Sequence, residues 1–124
     1  MAADLSAIYS TLHGLISSYT PPLTAKIEED SRYEVYSLKP VELAGRPIPE
    51  LFFAGLGRRS NYVGLYFFPI YTHPEEFTGI SAILKKCLKG KSCFHIKTLE
   101  GAMLKDIEKM LRDGYDFYKE KKLI

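Results

Sequence analysis

The fold is decided by residues 51–68, which read LFFAGLGRRSNYVGLYFF. Two apolar runs, residues 51–56 and 62–68, flank a five-residue loop that begins with glycine and ends with asparagine, a pattern typical of a β-hairpin. Side chains alternate along a strand. We therefore expect two sets of residues on opposite faces of the first run: Phe52, Ala54 and Leu56 on one, and Leu51, Phe53 and Gly55 on the other. Both faces are apolar or aromatic, which predicts a central position in a sheet.

The elements around this hairpin predict an α+β fold. A helix capped by Asp4 ends at two prolines, strands follow at 24–29 and 33–38, and residues 44–47 form a turn. After the hairpin come a helix over 82–88 capped by Ser81, a strand over 92–97, and a long helix over 99–122 capped by Thr98. We predict a single domain over 1–124, a two-layer sandwich. Its five-stranded, curved antiparallel sheet has the N- and C-terminal helices on one face.

Composition narrows the functional class. The chain has 124 residues, a formal charge of +2 and two cysteines, and no apolar run reaches the ~20 residues of a membrane span. The pI of about 8.5 is lower than is usual for a nucleic-acid-binding domain. The first residues lack the basic start of a signal peptide. We therefore expect a cytoplasmic protein that binds neither membrane nor nucleic acid.

Four segments carry a resemblance to a known family. They are YEVYSLKPVE at 33–42, PELFFAG at 49–55, YVGLYFFP at 62–69 and LKGKSCFHIK at 88–97. In this order and spacing the series resembles the YdhG-like family, a domain of unknown function (number 1801) found in small bacterial proteins. The resemblance implies an α+β fold with a curved antiparallel sheet, with a frataxin-like topology as one form. It implies no catalytic residues, but some members are described as frataxin-like iron chaperones.

The residues themselves offer little for iron. The one dense acidic run is Glu28, Glu29 and Asp30, and these are the weak iron candidates, because hard iron prefers clustered carboxylates. A solvated turn explains the same run more simply. We therefore predict no metal site and no cofactor.

The aromatic content is the more informative feature. Nine tyrosines and seven phenylalanines make up 13% of the chain, and helices in a two-layer sandwich cover only one sheet face. Tyrosine suits a boundary between protein and water, because its ring is apolar and its hydroxyl forms hydrogen bonds. The candidate interaction surface is Tyr36, Tyr62, Tyr66 and Phe68, and the candidate anion contacts are Arg58, Arg59, Lys91 and Lys97. The alternative is that the second helix or the loop over 38–49 covers these rings, or that they are scattered surface tyrosines without a role.

These observations favour a non-catalytic binding or protein-interaction module that uses an aromatic sheet face. Its partner would be a small molecule or a protein, including a second copy of the chain as a homodimer. A frataxin-like iron-binding chaperone is one alternative function. An enzyme with an unrecognised site is another, although no catalytic motif is present.

Overall fold

The hairpin predicted from residues 51–68 is present, with strands over Leu51–Arg58 and Val63–Phe67. The computed structural model of the chain describes residues 4–43 and 45–124. Residues 1–3 of the predicted domain and Ala44 of the predicted turn lie outside the described residues. The helices are α1 (Leu5–Ser17), α2 (Phe68–Thr72), α3 (Ala82–Cys87) and α4 (Met103–Glu120), with a 3-10 helix at Pro74–Phe77. The strands are β1 (Thr24–Glu28), β2 (Arg32–Ser37), β3 (Val41–Leu43), β4 (Arg46–Ile48), β5 (Leu51–Arg58), β6 (Val63–Phe67), β7 (Leu88–Lys89) and β8 (Cys93–Ile96).

Six of the strands form one antiparallel sheet in the order β1-β2-β5-β6-β8-β7, which confirms the predicted α+β class. The sheet has one strand more than the five predicted. The additional strand is β7, which pairs with β8 where a helix end was expected. Gly90 follows it with φ +83°, so it serves the turn between β7 and β8 and does not cap a helix. Strands β3 and β4 form a separate two-stranded ribbon.

A β-bulge changes which side chains of β5 share a face. Val35 pairs with Ala54 and Tyr36 pairs with Phe52, so Phe53 is an extra residue without a partner in β2. Phe53 and Ala54 are both fully buried, whereas Phe52 is partly exposed. The strict alternation predicted for residues 51–56 is therefore wrong. The bulge places Leu51, Phe53, Ala54 and Leu56 towards the helices and leaves Phe52 and Gly55 on the other face.

The N- and C-terminal helices α1 and α4 pack against one face of the sheet, as predicted. Phe53 connects the layers, because its ring centroid lies 5.9 Å from that of Tyr19 and 5.6 Å from that of Tyr118. Tyr19, just after α1, also contacts Tyr115 of α4 at 4.8 Å. Burial of this apolar surface is the main stabilising contribution to the fold. The fully buried side chains include Leu12, Ile16, Val35, Leu65, Phe67, Phe94, Ile96 and Ile107.

The ends of the two long helices differ in how well the sequence predicts them. The Asp4 carboxylate accepts hydrogen bonds from the backbone N–H groups of Ser6 and Ala7 at 3.0 and 3.2 Å, which confirms the predicted N-cap. The α4 helix begins at Met103, four residues later than predicted. Thr98 instead accepts the N–H of residue 100 within a turn, and Gly101 has a left-handed φ of +65° that separates this turn from the helix.

Between β6 and β7 the chain forms three short helical segments. Phe68, predicted as the end of a strand, is instead the first residue of α2, because the following Pro69 has no N–H to donate to a sheet. Ser81 caps α3 as predicted, accepting a hydrogen bond from the N–H of Leu84. None of the helices in the described part of the chain is long and apolar enough to cross a membrane.

Candidate ligand site on the open sheet face

We call the sheet face opposite α1 and α4 the open face. Three glycines lie at its centre, because Gly57 pairs with Gly64 across β5 and β6 and Gly55 pairs with Tyr66. A Cβ atom on Gly57 would lie 3.3 Å from Cε2 of Tyr66, and one on Gly64 would lie 3.4 Å from the same atom. The Tyr66 ring therefore packs against both glycines, and a side chain at Gly57 would press on it.

Further aromatic rings extend across the open face and beyond its edge. The centroid of Phe52 lies 5.2 Å from that of Tyr36 and 5.9 Å from that of Phe68, and Phe68 lies 5.4 Å from Tyr71. Tyr36, Phe52 and Phe68 are partly exposed, and Tyr71 is more exposed still. The rings are thus neither enclosed by the chain nor bare. Aromatic surface that remains in contact with water is typical of binding sites.

One end of the open face forms a groove of about 480 Å³. Its apolar side chains include Tyr36, Phe52 and Tyr66. Its charged residues are Arg32, Arg58, Arg59, Glu29 and Glu34. This volume lies within the range of sites that hold small molecules, roughly 300–1,000 Å³.

A charged network holds one wall of the groove. The guanidinium of Arg32 binds the Glu34 carboxylate through Nε at 2.7 Å and Nη2 at 2.6 Å. The Tyr36 hydroxyl donates to the other oxygen of Glu34 at 2.8 Å. Burial, followed by this hydrogen bond, raises the pKa of Tyr36 to about 12. Glu34 is therefore fully engaged, and the Tyr36 phenol keeps its proton at neutral pH.

The opposite wall is organised around the Tyr66 hydroxyl. Arg59 donates to it from Nη2 at 3.1 Å, and this hydrogen bond raises the pKa of Arg59. The thiol of Cys93, opposite Tyr66 on β8, also lies beside this hydroxyl. Burial raises the pKa of Cys93, although the Tyr66 hydrogen bond and the Arg59 charge act in the other direction. Arg59 therefore remains cationic, and Cys93 is a poor nucleophile at neutral pH.

The structure brings some of the predicted site residues together and separates others. Four of them line the groove, namely Tyr36, Tyr66, Arg58 and Arg59. Phe68 contacts Phe52 at the edge of the groove, and Tyr62 lies further along the sheet, stacked on His95 with centroids 3.9 Å apart. Lys91 lies at a different groove, with its ammonium 5.8 Å from the centroid of Tyr71. Lys97 follows β8 and is exposed.

Sequence reasoning missed Arg32, Glu34 and Phe52. The spacing of Arg32, Glu34 and Tyr36 at every second position is a signal that could have identified the network, because residues at that spacing in a strand share a face. The strand predicted over 33–38 begins one residue too late to include Arg32. No comparable signal exists for Phe52. Its side chain reaches the groove only because the bulge at Phe53 shifts the alternation.

The side chains of the acidic turn are not grouped as metal ligands in the described part of the chain. Glu28 lies 3.2 Å from Nε2 of His13, and Glu29 lines the groove described above. Within residues 4–43 and 45–124, no three His, Cys, Asp or Glu side chains are grouped so as to hold a metal ion. The iron candidates Glu28, Glu29 and Asp30 therefore receive no support from the geometry.

Comparison with known proteins does not connect the chain to a function. No family model, no curated protein and no solved structure matches it significantly. The resemblance to the YdhG-like family stays a prediction, and the evidence for a function is the geometry of the open face.

Proposed function

We propose that the chain is a non-catalytic binding protein whose groove on the open face holds a small, planar molecule with an anionic group. The observation that carries this proposal is the Tyr66 ring, partly exposed on a floor of glycines and hydrogen-bonded at its edge to Arg59. The apolar ring of Tyr66 and the guanidinium of Arg59 are therefore neighbours. A planar anion would contact both at once.

The floor of the groove favours a planar molecule. Gly57 and Gly64 carry no side chain, and the ring of Tyr66 packs against both while it remains partly exposed at the groove. Phe52 and Tyr36 add two more rings at 5.2 Å from each other. Stacking on such rings contributes about 0.5–1.5 kcal/mol per pair beyond the burial of area.

The charges of the groove favour an anion. Three arginines face two glutamates there, and Arg32 is bound to Glu34. In the part of the chain that the structure describes, neither Arg58 nor Arg59 forms an ion pair. A planar guanidinium binds a carboxylate or phosphate through two parallel hydrogen bonds, which a surface lysine does not.

The pKa shifts of three groups at the groove support binding over acid–base catalysis. The pKa shifts of Tyr36 and Arg59 both lead away from neutrality, as does that of the neighbouring Cys93. A general acid or base works best with a pKa near the operating pH, and a nucleophilic cysteine needs a lowered pKa. The iron chaperone, the other alternative, lacks a cluster of ligands within the described residues.

Two related expectations remain proposals. Cys87 and Cys93 are both free thiols, which supports a reducing compartment such as the cytoplasm.

A protein partner, including a second copy of the chain, is the competing occupant of the open face. Sedimentation velocity with and without a small ligand distinguishes the two, because a dimer formed through this face would dissociate as the ligand fills the groove.

Isothermal titration with 2-naphthoate tests the proposal. This probe combines a flat ring system with a carboxylate, and its neutral analogue 2-naphthamide keeps the ring alone. We expect measurable binding of naphthoate, weaker binding of naphthamide, and a loss of about five- to tenfold in naphthoate affinity for Arg59→Gln. Lys97→Gln, which removes an exposed cation outside the groove, is the matched control and is expected to bind as the wild type does.

Two results would contradict the proposed function. One is the absence of naphthoate binding tighter than about 5 mM. The other is equal affinity for naphthoate and naphthamide together with no effect of Arg59→Gln. Far-UV circular dichroism of each variant establishes that the fold is retained, so a loss of binding is assigned to the groove.

A further inference from the structure

A second groove lies away from the open-face site, between α2, the 3-10 helix, α3 and β7. We call it the lysine-rimmed groove, and its volume is about 740 Å³. Its apolar residues include Ile70, Tyr71, Phe77, Ile80 and Leu88. It shares no lining residue with the groove around Tyr66.

The interior of this groove is apolar but not closed. Ile70 and Phe77 are buried at its base, and Ile80 and Leu88 are partly exposed. Tyr71 retains 48% of its accessible surface, an unusual exposure for a large aromatic side chain beside buried apolar neighbours. A ligand with an apolar body would remove this surface from water, which is favourable.

Two ammonium groups lie at the rim. Lys85 donates from Nζ to the backbone oxygen of Thr78 at 2.9 Å, which holds its side chain over the groove. Lys91 is held by the ring of Tyr71, with 5.8 Å between Nζ and the ring centroid. Across residues 4–43 and 45–124, no carboxylate forms an ion pair with either lysine. The rim is therefore positively charged and open to an anionic partner.

From this combination we propose that the lysine-rimmed groove binds a small amphipathic acid, with an alkyl chain against Tyr71, Ile80 and Leu88 and a carboxylate between Lys85 and Lys91. Charge complementarity selects the occupant. A neutral alkyl chain would leave both ammonium groups without an anionic partner, and a cationic one would be repelled. The proposal is independent of the proposed function, because it uses other residues and a flexible ligand.

Chemical-shift mapping with octanoate on uniformly labelled full-length protein tests this site, with 1-octanol as the neutral probe of the same chain length. We expect octanoate to shift the amide signals of Tyr71, Ile80 and Leu88, and octanol to bind more weakly. Lys91→Ala should weaken octanoate binding about two- to fivefold, and Lys85→Ala with Lys91→Ala about tenfold. Lys86→Ala, an exposed lysine of α3 outside the groove lining, is the matched control and should have no effect.

Three outcomes would overturn the proposal. The first is no shift of these amides up to about 5 mM octanoate. The second is octanol binding as tightly as octanoate, with the lysine variants unchanged, which would leave a groove without selection for an acid. The third is shifts centred on Tyr36 and Tyr66, which would assign the ligand to the open face. Lys91→Ala leaves the Lys85 hydrogen bond to Thr78 in place. A loss of octanoate affinity in this variant therefore reports the loss of the Lys91 charge and not a disturbance of α3.

Discussion

Replacing Gly114 with alanine should destabilise the protein, although alanine is the better helix former. Gly114 lies in α4 and is buried against β6 and α2. A Cβ atom built there would lie 2.4 Å from Cζ and 2.7 Å from Cε1 of Phe67, distances that carbon atoms do not reach without a shift. Phe67 is fully buried and packs edge to face on Phe77 at 5.2 Å, so its ring can move only by displacing its neighbours.

The magnitude follows from two opposing effects. Overpacking a well-packed core costs about 1–3 kcal/mol, and a contact this short belongs at the upper end or above it. Removing a glycine from a helix interior stabilises by about 1 kcal/mol. We therefore expect Gly114→Ala to lower the free energy of unfolding by about 2 kcal/mol, the difference between these effects.

A matched variant isolates the steric effect. Gly14 lies in the interior of α1, and a Cβ atom there would meet nothing within 4 Å. Gly14→Ala should therefore stabilise the protein by about 0.5–1 kcal/mol, from helix propensity alone. Urea denaturation followed by far-UV circular dichroism measures both. If Gly114→Ala proved as stable as the wild type while Gly14→Ala gained stability, the close packing of α4 on Phe67 would be refuted.

Two further predictions concern hydrogen bonds. The native pKa of Tyr36, about 12, lies above the value of about 10 expected for the unfolded chain. Stability should therefore be full below pH 10 and fall as pH rises towards 12, because the unfolded state loses the proton first. Tyr36→Phe, which also removes the bond to Glu34, should lessen this fall in alkaline denaturation, and an unchanged profile would contradict it. Ser37 is buried and donates to the Leu123 oxygen at 2.7 Å, so Ser37→Ala should cost about 1–2 kcal/mol in urea denaturation. The exposed Ser60→Ala should cost less than about 0.5 kcal/mol, and equal costs would argue against the buried bond.

The parts of the fold that local chemistry controls were predictable. The glycine and asparagine at the ends of the central loop predict the β5–β6 hairpin, and Asp4 predicts the start of α1. The missed features depend on tertiary pairing. Two residues, Leu88 and Lys89, are too few to produce a recognisable strand pattern, so β7 is apparent only from its pairing with β8. The late start of α4 likewise depends on the backbone conformation of Gly101.

The candidate site, like the fold, was predictable only in part. The high aromatic content, together with the expectation that helices cover only one sheet face, led to the prediction of Tyr36 and Tyr66. Both residues line the groove. Phe52 lines the groove only because of the bulge in β5, and no local sequence pattern predicts that bulge. The predicted anion contacts do not share one surface, because the structure places Lys91 at the lysine-rimmed groove and Arg58 and Arg59 on the open face. The positions of charged residues in the sequence do not indicate which surface of the fold carries them.

The most direct test of the open face is amide chemical-shift mapping of the full chain with 2-naphthoate. We expect the largest shifts at Gly57 and Tyr66, which line the groove, and at Gly64, which packs against the Tyr66 ring. Amides of α1 and α4 should be unaffected, since those helices cover the other face of the sheet. Saturable shifts confined to the helices, or no shifts on the glycine floor at concentrations where naphthoate binds, would contradict a ligand site on the open face.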